Sequence, residues 1–208
     1  MEKKLFFKKG AEAELVIEIF DKKKVLSKNR IRKNYRNKNL DLSIRRTRTR
    51  SEAKLLKEAS SFVNVPKIVS VSEENTQIVM EFIPGKRLKE IIEKNKSLCK
   101  KAGQEIKKLH EGGIIHGDLT TSNIIFTKDK EFKDRIKKHS NLFFIDFGLG
   151  YFSKNIEAQA TDLVVFKKTF NATHSKIKNG WNLVLQGYNP SQELVDRMSA
   201  VEKRARYH

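Results

Sequence analysis

The sequence predicts an α+β chain of two unlike lobes facing each other across a cleft. A small antiparallel-sheet lobe with one helix comes first, and a reduced, mainly helical lobe follows. Three observations predict it. Alternating apolar residues mark short strands before Pro84, one long amphipathic helix interrupts them, and helical spacing dominates after the Pro84-Gly85 turn. Two lobes of one domain, 1–83 and 84–208, follow from that division, and a ligand is expected in the cleft between them. A chain of 208 residues with 38% hydrophobic content can bury a core of this kind.

In the first lobe, Leu15 to Phe20 reads as a strand with Leu15, Ile17 and Ile19 on one side. Asp21 to Lys24 reads as a turn, and Val25 to Lys28 as a second, antiparallel strand. A basic connector from Asn29 to Asp41 leads to a helix from about Leu42 to Ala59. Leu55, Leu56 and Ala59 lie three, four and seven residues after Glu52, which puts this carboxylate on the apolar face. Val65-Pro66 breaks the helical pattern, and short strands are expected at Ile68 to Val71 and Gln77 to Phe82.

Beyond Pro84-Gly85, helices are expected at Leu88 to Lys94 and Ser97 to Leu109, the second ending at Gly112-Gly113. A strand at Leu142 to Ile145 precedes Asp146-Phe147-Gly148. The remainder is helical, with Asn189-Pro190-Ser191-Gln192 read as a helix start capped by Asn189.

Composition narrows the function. No run of eighteen apolar residues exists, and the start, Met1 to Lys9, does not read as a secretion signal. Cys99 is the single cysteine and sits at helical spacing with Leu98, Ala102, Ile106 and Leu109, so a buried thiol in a reducing, cytosolic setting is expected. The net charge is +19, and between Asp21 and Arg50 thirteen Lys or Arg face two acids. A field of this size attracts polyanions, with a merely solvated lysine-rich face as the plain alternative.

The chemistry is concentrated in two motifs. His116-Gly117-Asp118-Leu119-Thr120-Thr121-Ser122-Asn123 fits the kinase catalytic-loop pattern, with Asp and Asn five apart. Phosphoryl transfer needs one carboxylate to take the attacking hydroxyl's proton, here Asp118, and amide and carboxylate oxygens to hold a hard cation, here Asn123 and Asp146. His116 is expected to pack and hydrogen-bond the loop. Glu52, on its apolar face, needs a cationic partner because an unpaired buried charge is very unfavourable. Lys28 is the expected partner, able to reach two phosphates of a nucleotide as well, with Lys24 and Arg30 as alternatives.

These residues resemble a known family. Lys9-Gly10-Ala11-Glu12-Ala13-Glu14, Arg30 to Arg36, Arg48-Thr49-Arg50-Ser51-Glu52-Ala53, the HGDLTTSN run and Phe144 to Gly150 are similar to the kinase-like subunit of the KEOPS complex, the PRPK family. The resemblance covers nearly the whole chain and implies a protein-kinase-like fold in minimal form. It implies an atypical Ser/Thr-type kinase with ATPase activity, using ATP and Mg2+. It further implies work beside a threonylcarbamoyl-transferring subunit and two small proteins, making threonylcarbamoyladenosine at position 37 of tRNA. By the same resemblance Lys28, Glu52, Asp118, Asn123 and Asp146 are functional, Gly10 belongs to the phosphate loop, Glu81 and Ile83 offer backbone to adenine, and Met80 guards the pocket behind it. The basic segment and the tail Lys203 to His208 are implied contacts for tRNA or a partner.

Departures from ordinary kinases narrow the reading. The phosphate loop has one glycine, Gly10, instead of three. Gly117 replaces the Arg that reads a phosphorylated activation loop, and Thr120 replaces a Lys that neutralises the moving phosphoryl group. No Ala-Pro-Glu follows the DFG, and the sixty residues after Gly148 are too few for the usual peptide-docking helices. Weak protein phosphorylation and partner-coupled ATP hydrolysis are therefore expected. An independent RIO-like or small-molecule phosphotransferase and a non-catalytic RNA-binding module are the competing readings. Asp162 is expected near a helix start, bracing the catalytic loop or capping the helix.

Overall fold

A computed structural model describes residues 5–10 and 12–204. Five antiparallel strands form the sheet of the small lobe: β1 (Leu5–Lys9), β2 (Ala13–Phe20), β3 (Lys23–Arg30), β4 (Ile68–Ser72) and β5 (Gln77–Glu81). Their order is β1-β2-β3-β5-β4. Lys28 on central β3 pairs with Leu15 of β2 and Ile78 of β5. Lys28 and Arg30 are both buried and, two residues apart, share one face of that strand.

The β2–β3 turn is tighter than the expected four residues. Asp21 and Lys22 alone make it, at φ 47° and 60°. A two-residue hairpin loop with both residues at positive φ matches the twist of the strands it joins. β1 was not anticipated by the pattern reading, and the helix α1 (Lys38–Ala59) starts four residues earlier than expected. The Asn37 side chain accepts the Asn39 N–H at 2.9 Å and caps it. Much of the basic connector is organised around the buried Asp41, which accepts Arg45 Nε at 2.7 Å and the Lys33 amide at 3.1 Å. The Arg45 hydrogen bond holds the Asp41 carboxyl below its usual range.

The chain then crosses to the larger lobe. β6 (Lys86–Arg87) leads into α2 (Leu88–Ile91), α3 (Ser97–Glu111), β7 (Ile114–Ile115), β8 (Ile124–Phe126), α4 (Lys133–Lys138), β9 (Leu142–Phe144), β10 (Tyr151–Phe152), α5 (Ile156–Thr173), α6 (Gly180–Tyr188) and α7 (Gln192–Arg204). α2 is shorter than the expected Leu88 to Lys94, since the chain turns after Ile91. The α7 start corrects the sequence reading. Asn189 is left-handed at φ 51° and closes α6 with its amide on Leu185 O, while Ser191 Oγ accepts the Leu194 N–H. No described helix is long and apolar enough to cross a membrane.

One core cluster runs through both lobes, from Leu55, Leu56 and Ala59 of α1 to Leu163, Phe166 and Phe170 of α5. Cys99 is in it, and burial pushes its thiol up to about 11, which leaves it unreactive. α4, unanticipated, ties the linker between the lobes. Arg135 donates to Glu81 Oε2 at 2.5 Å and bonds the Val65 carbonyl, while its guanidinium lies over Phe143.

α3 and α6 cross backbone against backbone. A Cβ on Gly103 would lie 2.0 Å from Val184 O, and one on Gly187 would lie 1.9 Å from Lys100 O. Gly103→Ala and Gly187→Ala are each expected to destabilise the fold by about 1–3 kcal/mol, lowering the melting temperature on the order of 5 °C. A calorimetric scan checks this, and an unchanged melting temperature would refute the close crossing.

Candidate active site

Three segments bring the candidate residues to the cleft: the end of β3, the loop between β7 and β8, and the residues after β9. In the loop, Asn123 Nδ2 donates to the Asp118 carbonyl and to Asp118 Oδ2, both at 2.9 Å. The amide nitrogen is thus turned toward Asp118, which leaves the amide oxygen to accept from a donor or to ligate a cation. Asp146 is half-exposed and left-handed at φ 63°, a conformation that Asp tolerates better than most non-glycine residues. Its Oδ1 accepts Lys28 Nζ at 2.8 Å and the Gly148 amide at 3.4 Å. Burial pushes its pKa up, but the Lys28 charge and hydrogen bond outweigh that and hold the carboxyl below its usual range.

Glu52 is buried, as its spacing predicts, and it has two partners. Lys28 Nζ donates to Oε1 at 2.6 Å, and Arg30 donates to Oε2 at 2.5 Å. Lys28 and Arg30 are thus joint partners rather than alternatives, and Lys24 lies exposed on the surface. Burial alone would depress the Lys28 pKa, but the Glu52 and Asp146 carboxylates raise it above the ordinary lysine value.

His116 is fully buried and structural. Its Nε2 donates to Ile145 O at 3.1 Å, its Nδ1 accepts the Asp118 N–H at 3.3 Å, and its ring lies 4.7 Å from that of Phe147. This pair of bonds fixes one neutral tautomer. Asp162 sits within α5 rather than at its start, and it braces the loop instead of capping the helix. Its carboxylate accepts the His116 and Gly117 amides at 2.9 and 3.0 Å and faces His110 Nε2 at 3.1 Å. His110 Nδ1 in turn contacts Tyr188 Oη at 2.9 Å. Gly117 has φ +78°, and a Cβ there would meet Leu149 O at 2.1 Å. In this conformation no side chain fits that position, in keeping with the departure seen in the sequence.

The cleft has two connected compartments. The inner one, ≈ 310 Å³, is lined by Leu15, Leu26, Met80, Ile83, Ile125 and Ile145, with Glu81 beside them. The outer one, ≈ 470 Å³, is the more polar of the two and lies against Gly10, Lys28, Arg48, Asp118, Asn123 and Asp146. Lys28, Arg87, Asn123 and Asp146 face both. Sequence reasoning missed Arg87 and Arg48. Arg48 grips Glu12 at 3.1 Å, a pairing 36 residues apart with no local signal.

Among the thirteen cations between Asp21 and Arg50, seven are turned to carboxylates. Lys28 and Arg30 take Glu52, Arg36 and Arg45 take Asp41, Lys33 and Arg48 take Glu12, and Arg50 takes Glu73. The other six, Lys22, Lys23, Lys24, Arg32, Lys38 and Arg46, are exposed. Of the basic tail, Lys203 and Arg204 end α7, Arg204 bonding Glu157, and 205–208 lie outside the described residues.

Comparisons with known proteins bear on the family and the fold. A family model described as RIO domain matches residues 13–133. The chain is 40% identical to KEOPS complex subunit Bud32 of Pyrococcus abyssi, over 96% of this chain and 94% of that one. It is also 40% identical to a probable bifunctional tRNA threonylcarbamoyladenosine biosynthesis protein of Methanocaldococcus jannaschii, over 96% of this chain but 36% of that protein's length. Among solved structures, Rio2 kinase of Chaetomium thermophilum, in an ADP/Mg2+-phosphoaspartate complex, matches with a TM-score of 0.65 at 16% identity. That match covers 97% of this chain and 70% of the other. WaaP in complex with acyl carrier protein matches with a TM-score of 0.66 at 13% identity, covering 99% and 89%. At these identities the two structures show the kinase-like fold alone.

Burial lowers the His116 pKa more than the nearby carboxylates raise it. The unfolded chain, with an ordinary histidine near 6.5, therefore takes up more protons as pH falls through that value. The depressed Asp146 acts with the same sign, its contribution being lost only at acid pH below the usual carboxylate range. Stability is expected to hold above about pH 6.5 and to decline below it. Nitrogen-15 NMR at pH 6 should show the His116 imidazole neutral with its proton on Nε2, and an imidazolium signal there would contradict the geometry.

Proposed function

The chain belongs to the RIO-domain family and to the family of KEOPS complex subunit Bud32, and from that premise we propose an ATP- and magnesium-dependent kinase-like phosphotransferase and ATPase that serves tRNA threonylcarbamoyladenosine synthesis. The observation that carries this reading is the meeting of Asp118, Asn123 and Asp146 at the junction of an apolar and a polar compartment.

The inner compartment suits a flat apolar base, with Leu15 and Leu26 on one side, Ile125 and Ile145 on the other, and Met80 at the back. Glu81 and Ile83 would meet the base through their backbone. Glu81's side chain is engaged elsewhere, by Arg135, which leaves the linker backbone as the feature facing the ligand. The polar compartment would take the phosphates, with Lys28 moving from Asp146 to reach them while Arg30 keeps Glu52 paired.

Asp146 and the Asn123 amide oxygen would hold Mg2+. They are hard oxygen donors, and the Asn123 orientation fits, because its nitrogen is already bonded to Asp118. When bound, the ion would offset charge on the phosphates. Asp118 would orient the attacking hydroxyl or water and accept its proton. The Asp162 and His116 hydrogen bonds fix the loop that carries Asp118.

The lobes 1–83 and 84–208 would act as one domain. We place the activity in a KEOPS-type assembly, with a threonylcarbamoyl-transferase subunit and small subunits as partners, in the cytoplasm. The relative from Methanocaldococcus jannaschii, in which a segment like this chain is about a third of the length, supports such a pairing. The six exposed cations between Lys22 and Arg46 are the candidate tRNA contacts, a smaller patch than the charge count implied. A coupled ATPase is favoured over free-standing protein phosphorylation because Gly117 leaves no phosphate-reading arginine in the loop.

The test measures ATP hydrolysis by the purified protein, alone and with its transferase partner and tRNA. Turnover should require Mg2+, respond to the partner, and fall at least about 100-fold in Asp146→Ala while the melting temperature stays within a few degrees. Undiminished turnover in Asp146→Ala would remove this residue from the chemistry.

A further inference from the structure

Among the described residues, the polar compartment offers few uncommitted groups for phosphate. A glycine-rich loop binds phosphate through free backbone amides, but the Gly10 amide is already donated to Ala13 O at 2.9 Å. The cations around the compartment are mostly engaged too. Lys28 and Arg30 hold Glu52, and Arg48 holds Glu12. Arg87 is different. It ends β6, where it pairs with Ile125 of β8, and it occupies the residue before α2 without making a side-chain cap. Its side chain is half-buried and lines both compartments, yet among the described residues it makes no hydrogen bond, ion pair or ring contact. Glu90, one turn on, also lines the inner compartment and does not pair with it.

A half-buried guanidinium without an acceptor, at the waist of a cleft, is poised for an anion that arrives with the ligand. We propose that Arg87 is a nucleotide-binding residue that grips the phosphate nearest the ribose from the larger lobe, in place of loop amides in the smaller one. This rests on the reading of the cleft as an ATP site. The waist lies between the compartment that suits the base and the one that suits the outer phosphates, and the first phosphate of a nucleotide falls there. Arg87 also enters from the same lobe as Asp118 and Asn123, so the phosphate chain would be fixed relative to them even if the small lobe moves.

The experiment measures dissociation constants of adenosine, AMP, ADP and ATP for the full-length protein and for Arg87→Ala and Arg87→Lys. Arg87 has no partner among the described residues, so neither variant is expected to lose stability, which a melting scan verifies. AMP, ADP and ATP should each weaken about 10- to 100-fold in Arg87→Ala, as for loss of a charge-assisted hydrogen bond. Adenosine should be unchanged, and Arg87→Lys should lie between. Equal loss for adenosine would mean that Arg87 shapes the base pocket, and loss for ATP with AMP unaffected would place it on the outer phosphates. Either result overturns the proposal, as does unaltered nucleotide binding in Arg87→Ala. Failure of the unsubstituted protein to bind any nucleotide would instead overturn the ATP-site reading beneath it.

Discussion

A buried carboxylate held by two cations organises this molecule. Glu52 is out of water on the apolar face of α1, and it is tolerable there because Lys28 and Arg30 meet its two oxygens. Losing Glu52 itself would leave two buried cations short of a counter-charge and destabilise by about 3–5 kcal/mol. Both cations stand on one face of β3, so the contact fixes the helix against the sheet at a single register. Leu55, Leu56 and Ala59 then fall onto the core as a consequence. Because Arg30 also holds Glu52, this carboxylate stays paired if Lys28 turns away from it. Lys28 also spans the lobes, since Asp146 belongs to the segment after β9.

The larger lobe holds its half of the site by a chain of hydrogen bonds. Tyr188 of α6 meets His110 of α3, His110 meets Asp162 of α5, and Asp162 takes two successive amides of the loop that carries Asp118. His116 closes the frame by joining that loop to Ile145, next to Asp146. Backbone amides and buried rings do this work, so the loop needs no cationic side chain at position 117, where only glycine fits. A small chain can therefore keep a fixed Asp-Asn-Asp geometry with few helices beneath it.

Legibility in the sequence followed locality. The HGDLTTSN and DFG motifs were readable because their chemistry demands fixed spacing, and Glu52 because helical periodicity exposes a charge among apolar neighbours. Asp162 was readable only as one of two alternatives, since bracing depends on a loop 45 residues away. The shared grip of Arg30 was half-visible, and the pairing of the basic segment was hidden. Glu12 and Glu73 reach Arg48 and Arg50 from a bend and a turn far along the chain, so about half of a run that looks like free charge is paired within the molecule. The cap at Asn37, the two-residue hairpin at Asp21-Lys22 and the exchange of roles between Asn189 and Ser191 show how residues suited to several turn geometries leave boundaries open. α4 and its Arg135 clasp on Glu81 gave no signal, because a short polar helix has little periodicity to read.

We propose that Lys28 exchanges Asp146 for phosphate while Asn123 and Asp146 take the metal. Crystals grown with Mn2+ and a non-hydrolysable ATP analogue test it directly, through the anomalous signal of the ion. Mn2+ is expected against the Asp146 carboxylate and the Asn123 amide oxygen, with Lys28 parted from Asp146 and Arg30 still on Glu52. An ion bound elsewhere, or a Lys28–Asp146 contact that persists beside the bound nucleotide, would contradict it.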